Sequence, residues 1–350
     1  MPEYSTRRAN NFMCLSILLG NLLILGIYVV AGFAEVITGN TQMLDLLQHP
    51  VALVAVAQVC IGLIPFLVYL GYTGQRISDV LPLKGLSFIN IFLITLITIT
   101  IMPLANLVGA ITSMFFENNI VDTMTDINRV GLGISILTIG VMPAIFEEIT
   151  MRGIILSNYK HIDIRKAALV NGFFFGIFHM NPFQFFYAFI LGYLFALFVF
   201  YTGSILSAIY AHFIFNTIQL LLLHVVMLMP EVVDEAVVVE EPDMIVTIIT
   251  LAIVATIFTF VSVVLFKSFK GINRKRKLNE ELSMQKRMRR LSAMEEKELH
   301  VRDAGRLNEI ARLEGSSNPE ESTHEGQRII TPGFVWTIVV YLVVVFLLVL

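Results

Sequence analysis

The chain has 350 residues, of which 56% are hydrophobic and only 15% are charged, whereas about a quarter of the residues in soluble domains are charged. This composition excludes an ordinary soluble domain and indicates a protein that crosses a membrane several times. The net charge of −3 is small and gives no sign of nucleic-acid binding. Cys14 and Cys60 match no metal-binding or redox spacing, so we expect neither a zinc finger nor a disulfide framework.

Apolar runs of about 20 residues, the length that a helix needs to cross the hydrocarbon core, recur along the chain. They predict an all-α, polytopic transmembrane helix bundle with about eight core spans and a C-terminal span. We expect the helix to break at Asn181-Pro182, between the fifth and sixth runs, because proline lacks the amide donor and clashes with the preceding turn. The runs are 12–33, 51–72, 88–115, 131–157, 167–183, 184–201, 204–228, 244–267 and 333–350.

Lysine and arginine residues predict the orientation of the bundle, because basic loops stay in the cytoplasm. The loops 34–50 and 229–243 contain no basic residue, and Arg129 is the one exception to the pattern. We therefore expect a multi-pass protein of the plasma membrane with a cytoplasmic N-terminus. The basic residues on the cytoplasmic side are Arg7, Arg8, Arg76, Lys84, Lys160, Arg165 and Lys166.

Residues 268–331 differ from the rest, since they begin with the basic run 274–277 and are mostly polar. Residues 274–290 have the pattern of a basic amphipathic helix that would lie on an anionic inner leaflet. A solvated charged helix that tethers the last span fits the same pattern. The polar stretch 315–327 is predicted to be disordered.

Ionisable side chains inside a span usually face the bundle interior, where they form pairs or take part in chemistry. Glu148 and Arg152 lie four residues apart on one helix face, so we expect them to form an ion pair. Glu147 points about 100° away from Glu148 and has no partner at helical spacing. A structural pair is the simplest reading of Glu148 and Arg152, which leaves Glu147 as the candidate for chemistry.

Three further polar residues accompany Glu147. His212 and Asn216 share a helix face, and His179 lies on another predicted helix. With a rise of 1.5 Å per residue, Glu147, His179 and His212 lie roughly 16, 18 and 12 Å from the cytoplasmic ends of their helices. We therefore expect the three to meet in the inner half of the bilayer, whereas His224 lies too near the outer surface. Each histidine alone would more simply be an interhelical hydrogen bond.

Two glycines precede His179 on its helix. Gly172 and Gly176 form a GxxxG pattern, which allows the backbone of another helix to approach closely. Packing is the ordinary role of such a pair.

The motifs together resemble those of the CPBP (Abi) family of CAAX prenyl endopeptidases and bacteriocin-processing or self-immunity proteases. The family pattern is EExxxR, FxxxH and HxxxN on successive helices. The chain has EEITMR at 147–152, FGIFH at 175–179 and HFIFN at 212–216. The resemblance covers about 70–228 and includes LPLKG at 81–85.

The resemblance implies that Glu147 and His179 activate a water molecule, and that His212 and Asn216 stabilise the oxyanion. Glu148 and Arg152 would support the site. The family has been described as metalloproteases, so a zinc-dependent version with Glu147, His179 and His212 as ligands stays open. We favour a mechanism that requires no cofactor, since the HExxH motif of soluble zinc proteases is absent.

The sequence thus predicts N-terminal transmembrane helices at 1–73, a CPBP-type protease domain at 74–267, the basic segment at 268–331 and a last helix at 332–350. The expected substrate is a peptide or lipidated peptide, reached through a cavity that opens to the cytoplasm or inner leaflet. The alternative from another class is a non-proteolytic immunity or scaffold protein that binds a peptide in the same pocket.

Overall fold

The structure is a computed structural model that describes residues 5–118, 120–229, 244–303 and 329–349. Residues 230–243 of the predicted loop 229–243 and the predicted disorder at 315–327 lie outside these residues. The described residues form helices and no strand, which confirms the all-α fold class. The helices are α1 (Thr6–Thr38), α2 (Gln42–Gln48), α3 (Pro50–Thr73), α4 (Ile77–Val80), α5 (Phe88–Thr112), α6 (Ile120–Val130), α7 (Leu132–Asn158), α8 (Ile164–Phe178), α9 (Pro182–Thr202), α10 (Leu206–Met227), α11 (Met244–Asp303) and α12 (Pro332–Val349).

Within the described part of the chain, seven helices are long and apolar enough to cross a membrane: α1, α3, α5, α7, α9, α10 and α11. The chain is an integral membrane protein. Two predicted spans form shorter helices. Helix α8 has 15 residues, a length of roughly 22 Å at 1.5 Å per residue, and the apolar part of α12 covers Pro332–Val345.

Helix α8 is short because the chain breaks at 179–181, as the proline predicts. Asn181 caps α9 by accepting a hydrogen bond from the Phe183 amide at 2.9 Å, and Pro182 occupies the first turn, where its missing amide hydrogen costs nothing. Met180 adopts a positive φ of 49°, a conformation that non-glycine residues seldom adopt. The break ends α8 at the position of His179.

Helices α8 and α9 pack closely through glycine, as the GxxxG pattern predicts. A Cβ on Gly172 would lie 2.6 Å from the Phe189 carbonyl oxygen, and one on Gly192 would lie 2.8 Å from the Gly172 Cα. Because such distances are not tolerated, only glycine allows the two backbones to approach this closely. The close approach places the C-terminal end of α8 beside α9.

Helices α3 and α7 contain π-helical turns. One covers Gln58–Leu63 in α3, and two lie in α7, at Ile136–Val141 and Ile149–Ile155. Such turns are rare and often occur at functional sites. Glu147 and Glu148 immediately precede the second turn of α7.

One end of the bundle, which we call the basic end, contains the loops 74–87, 159–163 and 203–205. Asn10 lies there and joins three segments. Its Oδ1 accepts from the Tyr159 hydroxyl at 2.5 Å, and its Nδ2 donates to the Ile329 carbonyl and the Thr331 hydroxyl at 2.9 and 2.8 Å. These bonds fix the start of α12 beside α1, where Gly333 allows close contact with the Asn11 backbone.

The opposite end, the distal end, contains the loops 39–49, 113–131 and 179–181. The amphipathic helix α6 lies there. Asn128 of α6 contacts the His224 Nδ1 at 3.1 Å and donates to the Met227 sulfur at 3.3 Å. Ser135 donates to the Ile127 carbonyl at 3.0 Å. Helix α6 is thereby held between the ends of α7 and α10.

The chain divides into two units, Met1–Lys267 with Gln327–Leu350, and Ser268–Gly326. All helices described above except the second part of α11 belong to the first unit. The described part of the second unit is helical, and Arg276 pairs there with Glu280 at 3.0 Å. The role of residues 274–290 at an anionic leaflet stays a prediction.

Candidate active site

Glu148 and Arg152 form the buried ion pair that their spacing predicts. Arg152 Nη1 lies 2.8 Å from Glu148 Oε1, and both side chains are 0% exposed. Arg152 Nη2 donates to the Gly192 carbonyl at 3.0 Å. Its guanidinium lies 4.5 Å from the centroid of the Phe175 ring and 5.5 Å from that of Phe195. The pair therefore joins α7 to α9 and neutralises two charges that would be costly to bury singly.

Glu148 has a second partner that the sequence did not indicate. His212 Nδ1 lies 2.9 Å from the same Oε1 atom. Because the carboxylate paired with Arg152 can only accept, Nδ1 carries the hydrogen of this bond. In the neutral ring the His212 Nε2 is then unprotonated. This atom lies 4.0 Å from Glu147 Oε2.

His179 is oriented in the same way by its own backbone. Its Nδ1 lies 2.7 Å from the Phe175 carbonyl oxygen, which can only accept, so Nδ1 is the donor. The other ring nitrogen, Nε2, lies 3.9 Å from Glu147 Oε2. Both histidines therefore direct an Nε2 atom toward one oxygen of Glu147.

Glu147 is held by a residue that the sequence analysis missed. Gln58 Nε2 donates to Glu147 Oε1 at 2.7 Å. Glu147 Oε2 is buried and has no hydrogen-bond partner within the described residues. Gln58 is the one carboxamide in the apolar run 51–72. This isolated polar residue could have indicated a role at the site.

Asn216 lies at the same site, one turn from His212. Its Nδ2 donates to the Ile139 carbonyl at 2.9 Å, within the first π turn of α7. This bond uses one of the two hydrogens on Nδ2, so the second is available to a ligand. His224 lies at the distal end against Asn128 and does not line the site.

These residues lie at the closed end of a cavity of about 730 Å³, within the range of roughly 300–1,000 Å³ that is typical of ligand sites. The buried rings of Phe175 and Phe195 line the cavity beside Glu147 and His212. Exposed residues such as Ser113 and Val121 line its other end. The cavity thus leads from the glutamate and the histidines toward the distal end.

The predicted zinc ligands are not arranged as a zinc site. Two donors bound tetrahedrally to zinc at about 2.1 Å are roughly 3.4 Å apart, whereas Glu147 Oε2 lies 3.9 and 4.0 Å from the two Nε2 atoms. Across the described residues, no group of three His, Cys, Asp or Glu side chains has an arrangement that could hold a metal ion. The donors instead have the separation that one bridging water would span with hydrogen bonds.

A family model agrees with the motifs. Residues 129–218 match the model described as Rce1-like, type II CAAX prenyl endopeptidase Rce1-like. This range contains Glu147, Glu148, Arg152 and the motifs that end at His179 and Asn216. Neither the curated proteins nor the solved structures gave a match to the chain. Residues 129–218 thus resemble an Rce1-like, type II CAAX prenyl endopeptidase domain, and this match supports the assignment to the CPBP family of CAAX-type proteases.

Proposed function

We propose that the protein is an intramembrane endopeptidase that hydrolyses a bond in a membrane-associated or lipidated peptide. The observation that carries the proposal is the convergence of two histidine Nε2 atoms on the unpartnered Oε2 of Glu147, at 3.9 and 4.0 Å, at the closed end of a cavity. A water molecule at this position would contact a base and lie beside any peptide bond that enters the cavity.

In the first step, Glu147 acts as the general base. Gln58 occupies Oε1, which leaves Oε2 to accept a proton from the water. His179 Nε2 accepts a hydrogen bond from the second hydrogen of the water and orients it. The water oxygen attacks the carbonyl carbon of the peptide, and the proton moves to Glu147. General bases of this kind contribute about 10²–10⁴-fold to the rate.

In the second step, His212 and Asn216 donate to the oxyanion. His212 can donate from Nε2 only when both ring nitrogens are protonated, and Nδ1 then donates to Glu148. With Glu147 and Glu148 negative and Arg152 positive, one proton on His212 brings the buried group to zero net charge. Collapse of the tetrahedral intermediate breaks the C–N bond, and the leaving amine takes the proton from Glu147.

The proposal is tested with Glu147→Gln, which keeps the side-chain volume and removes the base. Protein termini in membranes from wild-type and variant cells are compared by mass spectrometry. We expect a set of termini that the variant fails to produce. The matched control is Glu117→Gln, which makes the same chemical change at an exposed position that does not line the cavity and should leave the termini unaltered.

Loss of the same termini in Glu147→Gln and His212→Ala supports catalysis. If the termini persist in both variants, while a bulky substitution that fills the cavity removes the cellular phenotype, the protein is a non-proteolytic peptide-binding protein. Activity of purified protein should also survive a strong zinc chelator. Loss that added zinc restores would favour the zinc-dependent version instead.

We also propose that the protein resides in the plasma membrane with its N-terminus in the cytoplasm. The supporting observation is the distribution of lysine and arginine in residues 1–228: apart from the buried Arg152, seven lie at the basic end and Arg129 lies at the distal end. Binding of residues 274–290 to anionic lipid is part of this proposal. Vesicles with and without anionic lipid test it directly.

A further inference from the structure

Beyond the glutamate and the histidines, the cavity contains two carboxamides that contact each other. Gln219 Nε2 of α10 donates to Asn106 Oδ1 of α5 at 3.0 Å, and both side chains line the cavity. This bond uses one hydrogen of Gln219 and one lone pair of Asn106. Gln219 Oε1 and the Asn106 Nδ2 group can therefore bind a further partner. We call these two residues the carboxamide pair.

The carboxamide pair lies on the side of α10 that carries the active site. Gln219 follows His212 by seven residues, which is close to two helical turns, so the two side chains leave the helix in nearly the same direction. At 1.5 Å per residue, Gln219 lies about 10 Å from His212 along α10. An extended peptide covers this distance in about three residues. The pair is therefore placed to contact a bound peptide about three residues from the cleaved bond.

The wall of the cavity beside the pair is formed by small side chains. Apart from Asn106, the residues of α5 and its end that line the cavity are Ala105, Gly109, Ala110 and Ser113. None of these side chains has more than two non-hydrogen atoms. The wall therefore leaves room next to the pair for the side chains of an extended peptide.

The pair requires an occupant that both donates and accepts hydrogen bonds. A lipid chain does neither, so it would cover the polar atoms of the pair without replacing their hydrogen bonds, which is unfavourable. A peptide backbone offers an N–H and a C=O group at every residue except proline, which lacks the N–H. Among the described residues that line the cavity, Glu147 is the one Asp, Glu, Lys or Arg. The chemistry beside the pair thus suits a neutral backbone.

We propose that Asn106 and Gln219 form a subsite that binds the backbone of the substrate about three residues from the cleaved bond. This inference rests on the proposed function for the cleavage itself. Gln219 Oε1 accepts from a backbone N–H, and Asn106 Nδ2 donates to a backbone carbonyl. Because these contacts involve no side chain of the substrate, the subsite sets the register of the peptide without selecting its sequence.

A packing role for the pair makes a different prediction. Hydrogen bonds between polar side chains also join neighbouring helices in membranes, and loss of such a bond would lower the unfolding temperature and leave KM unchanged. A subsite away from the reacting bond instead stabilises the bound substrate and the transition state equally. Its loss raises KM and leaves kcat unchanged.

The test compares Asn106→Leu and Gln219→Leu, which remove the polar groups and keep a similar volume. The probe is a synthetic dodecapeptide that spans a terminus present in wild-type membranes and absent from Glu147→Gln membranes. We expect each leucine variant to raise KM by roughly 5–150-fold, the range for leaving one buried group unpaired, with kcat within about twofold of wild type. Gln48→Leu, at an exposed position that does not line the cavity, is the control and should change neither.

Methylation of the peptide backbone identifies the contact from the substrate side. A set of dodecapeptides is prepared, each with a methyl group on one backbone nitrogen. With the wild-type protein, methylation about three residues from the cleaved bond should raise KM. In Gln219→Leu this effect should disappear, because the acceptor is gone. Gln219→Met, whose side chain is unbranched like that of glutamine, replaces Gln219→Leu if the latter fails to fold.

The outcomes separate the subsite from the protease proposal. If cleavage of the dodecapeptide requires Glu147, but the leucine variants keep the wild-type KM and the same response to methylation, the subsite is refuted and the protease proposal stands. A lower unfolding temperature with an unchanged KM would show that the pair only joins α5 to α10. Termini that persist in Glu147→Gln would refute the protease proposal and the subsite with it.

Discussion

Glu147 and Glu148 are adjacent in the chain, but the structure gives them different surroundings, and the same substitution should affect them in opposite ways. Glutamine at position 148 removes the carboxylate that contacts both Arg152 and His212 at 2.8 and 2.9 Å. Arg152 then remains as a buried cation that has lost its hydrogen-bonded counterion. Removing one partner of a buried pair costs about 3–5 kcal/mol, so Glu148→Gln should strongly destabilise the protein.

Glutamine at position 147 should behave differently. Its side-chain oxygen can still accept the hydrogen bond from Gln58, and the substitution removes a negative charge from a buried group whose net charge is −1 with neutral histidines. We therefore expect Glu147→Gln to unfold at or above the wild-type temperature. Its cleavage rate should fall by about 10²–10⁴-fold, because the general base is lost.

Thermal unfolding of detergent-solubilised protein measures the difference. Cys14 and Cys60 are buried, so a thiol-reactive fluorogenic dye reports unfolding when they become accessible. Glu117→Gln, at an exposed position, is the control. The reasoning fails if Glu148→Gln unfolds at the wild-type temperature, or if Glu147→Gln is the less stable of the two.

Three further variants test other parts of the structure. Gln58→Ala should lower kcat by roughly 10–150-fold, because loss of a hydrogen bond to a charged group costs about 1.5–3 kcal/mol and Gln58 positions Glu147. A change in KM alone would contradict this role. Asn216→Ala should lower kcat by about 10²–10³-fold, as removal of an oxyanion donor does, and an unchanged kcat would exclude it from the site. Gly192→Ala should destabilise the protein by about 1–3 kcal/mol, because the new Cβ would clash with Gly172. The control Gly26→Ala has open space around it and should leave the stability unchanged. Equal unfolding temperatures of the two variants would show that the α8–α9 contact can relax.

The sequence predicted those features that depend on local spacing. The apolar runs predicted the helices, and Pro182 predicted the break after His179. Four-residue spacing predicted the contact between Glu148 and Arg152, because residues one helical turn apart are neighbours whatever surrounds them. The distance along each helix also predicted that Glu147, His179 and His212 lie at a common level, and the structure brings these three together.

The contact between Glu148 and His212, and the one between Gln58 and Glu147, were decided only by tertiary structure. These pairs are 64 and 89 residues apart in the chain, so their contact depends on how each helix is rotated about its axis. That rotation follows from packing, including the glycine contacts between α8 and α9 and the π turns that shift the faces of α3 and α7.

The direction in which the cavity opens also could not be predicted from the spacing of residues along the helices. Positions along the helices gave the depth of Glu147, but not which end of the bundle the surrounding side chains fill. The buried residues Val80 and Leu81 close the basic end, whereas the distal end stays open between α3, α5 and α6. Spacing along a helix therefore determined which residues could meet, and packing between helices decided which atoms face one another.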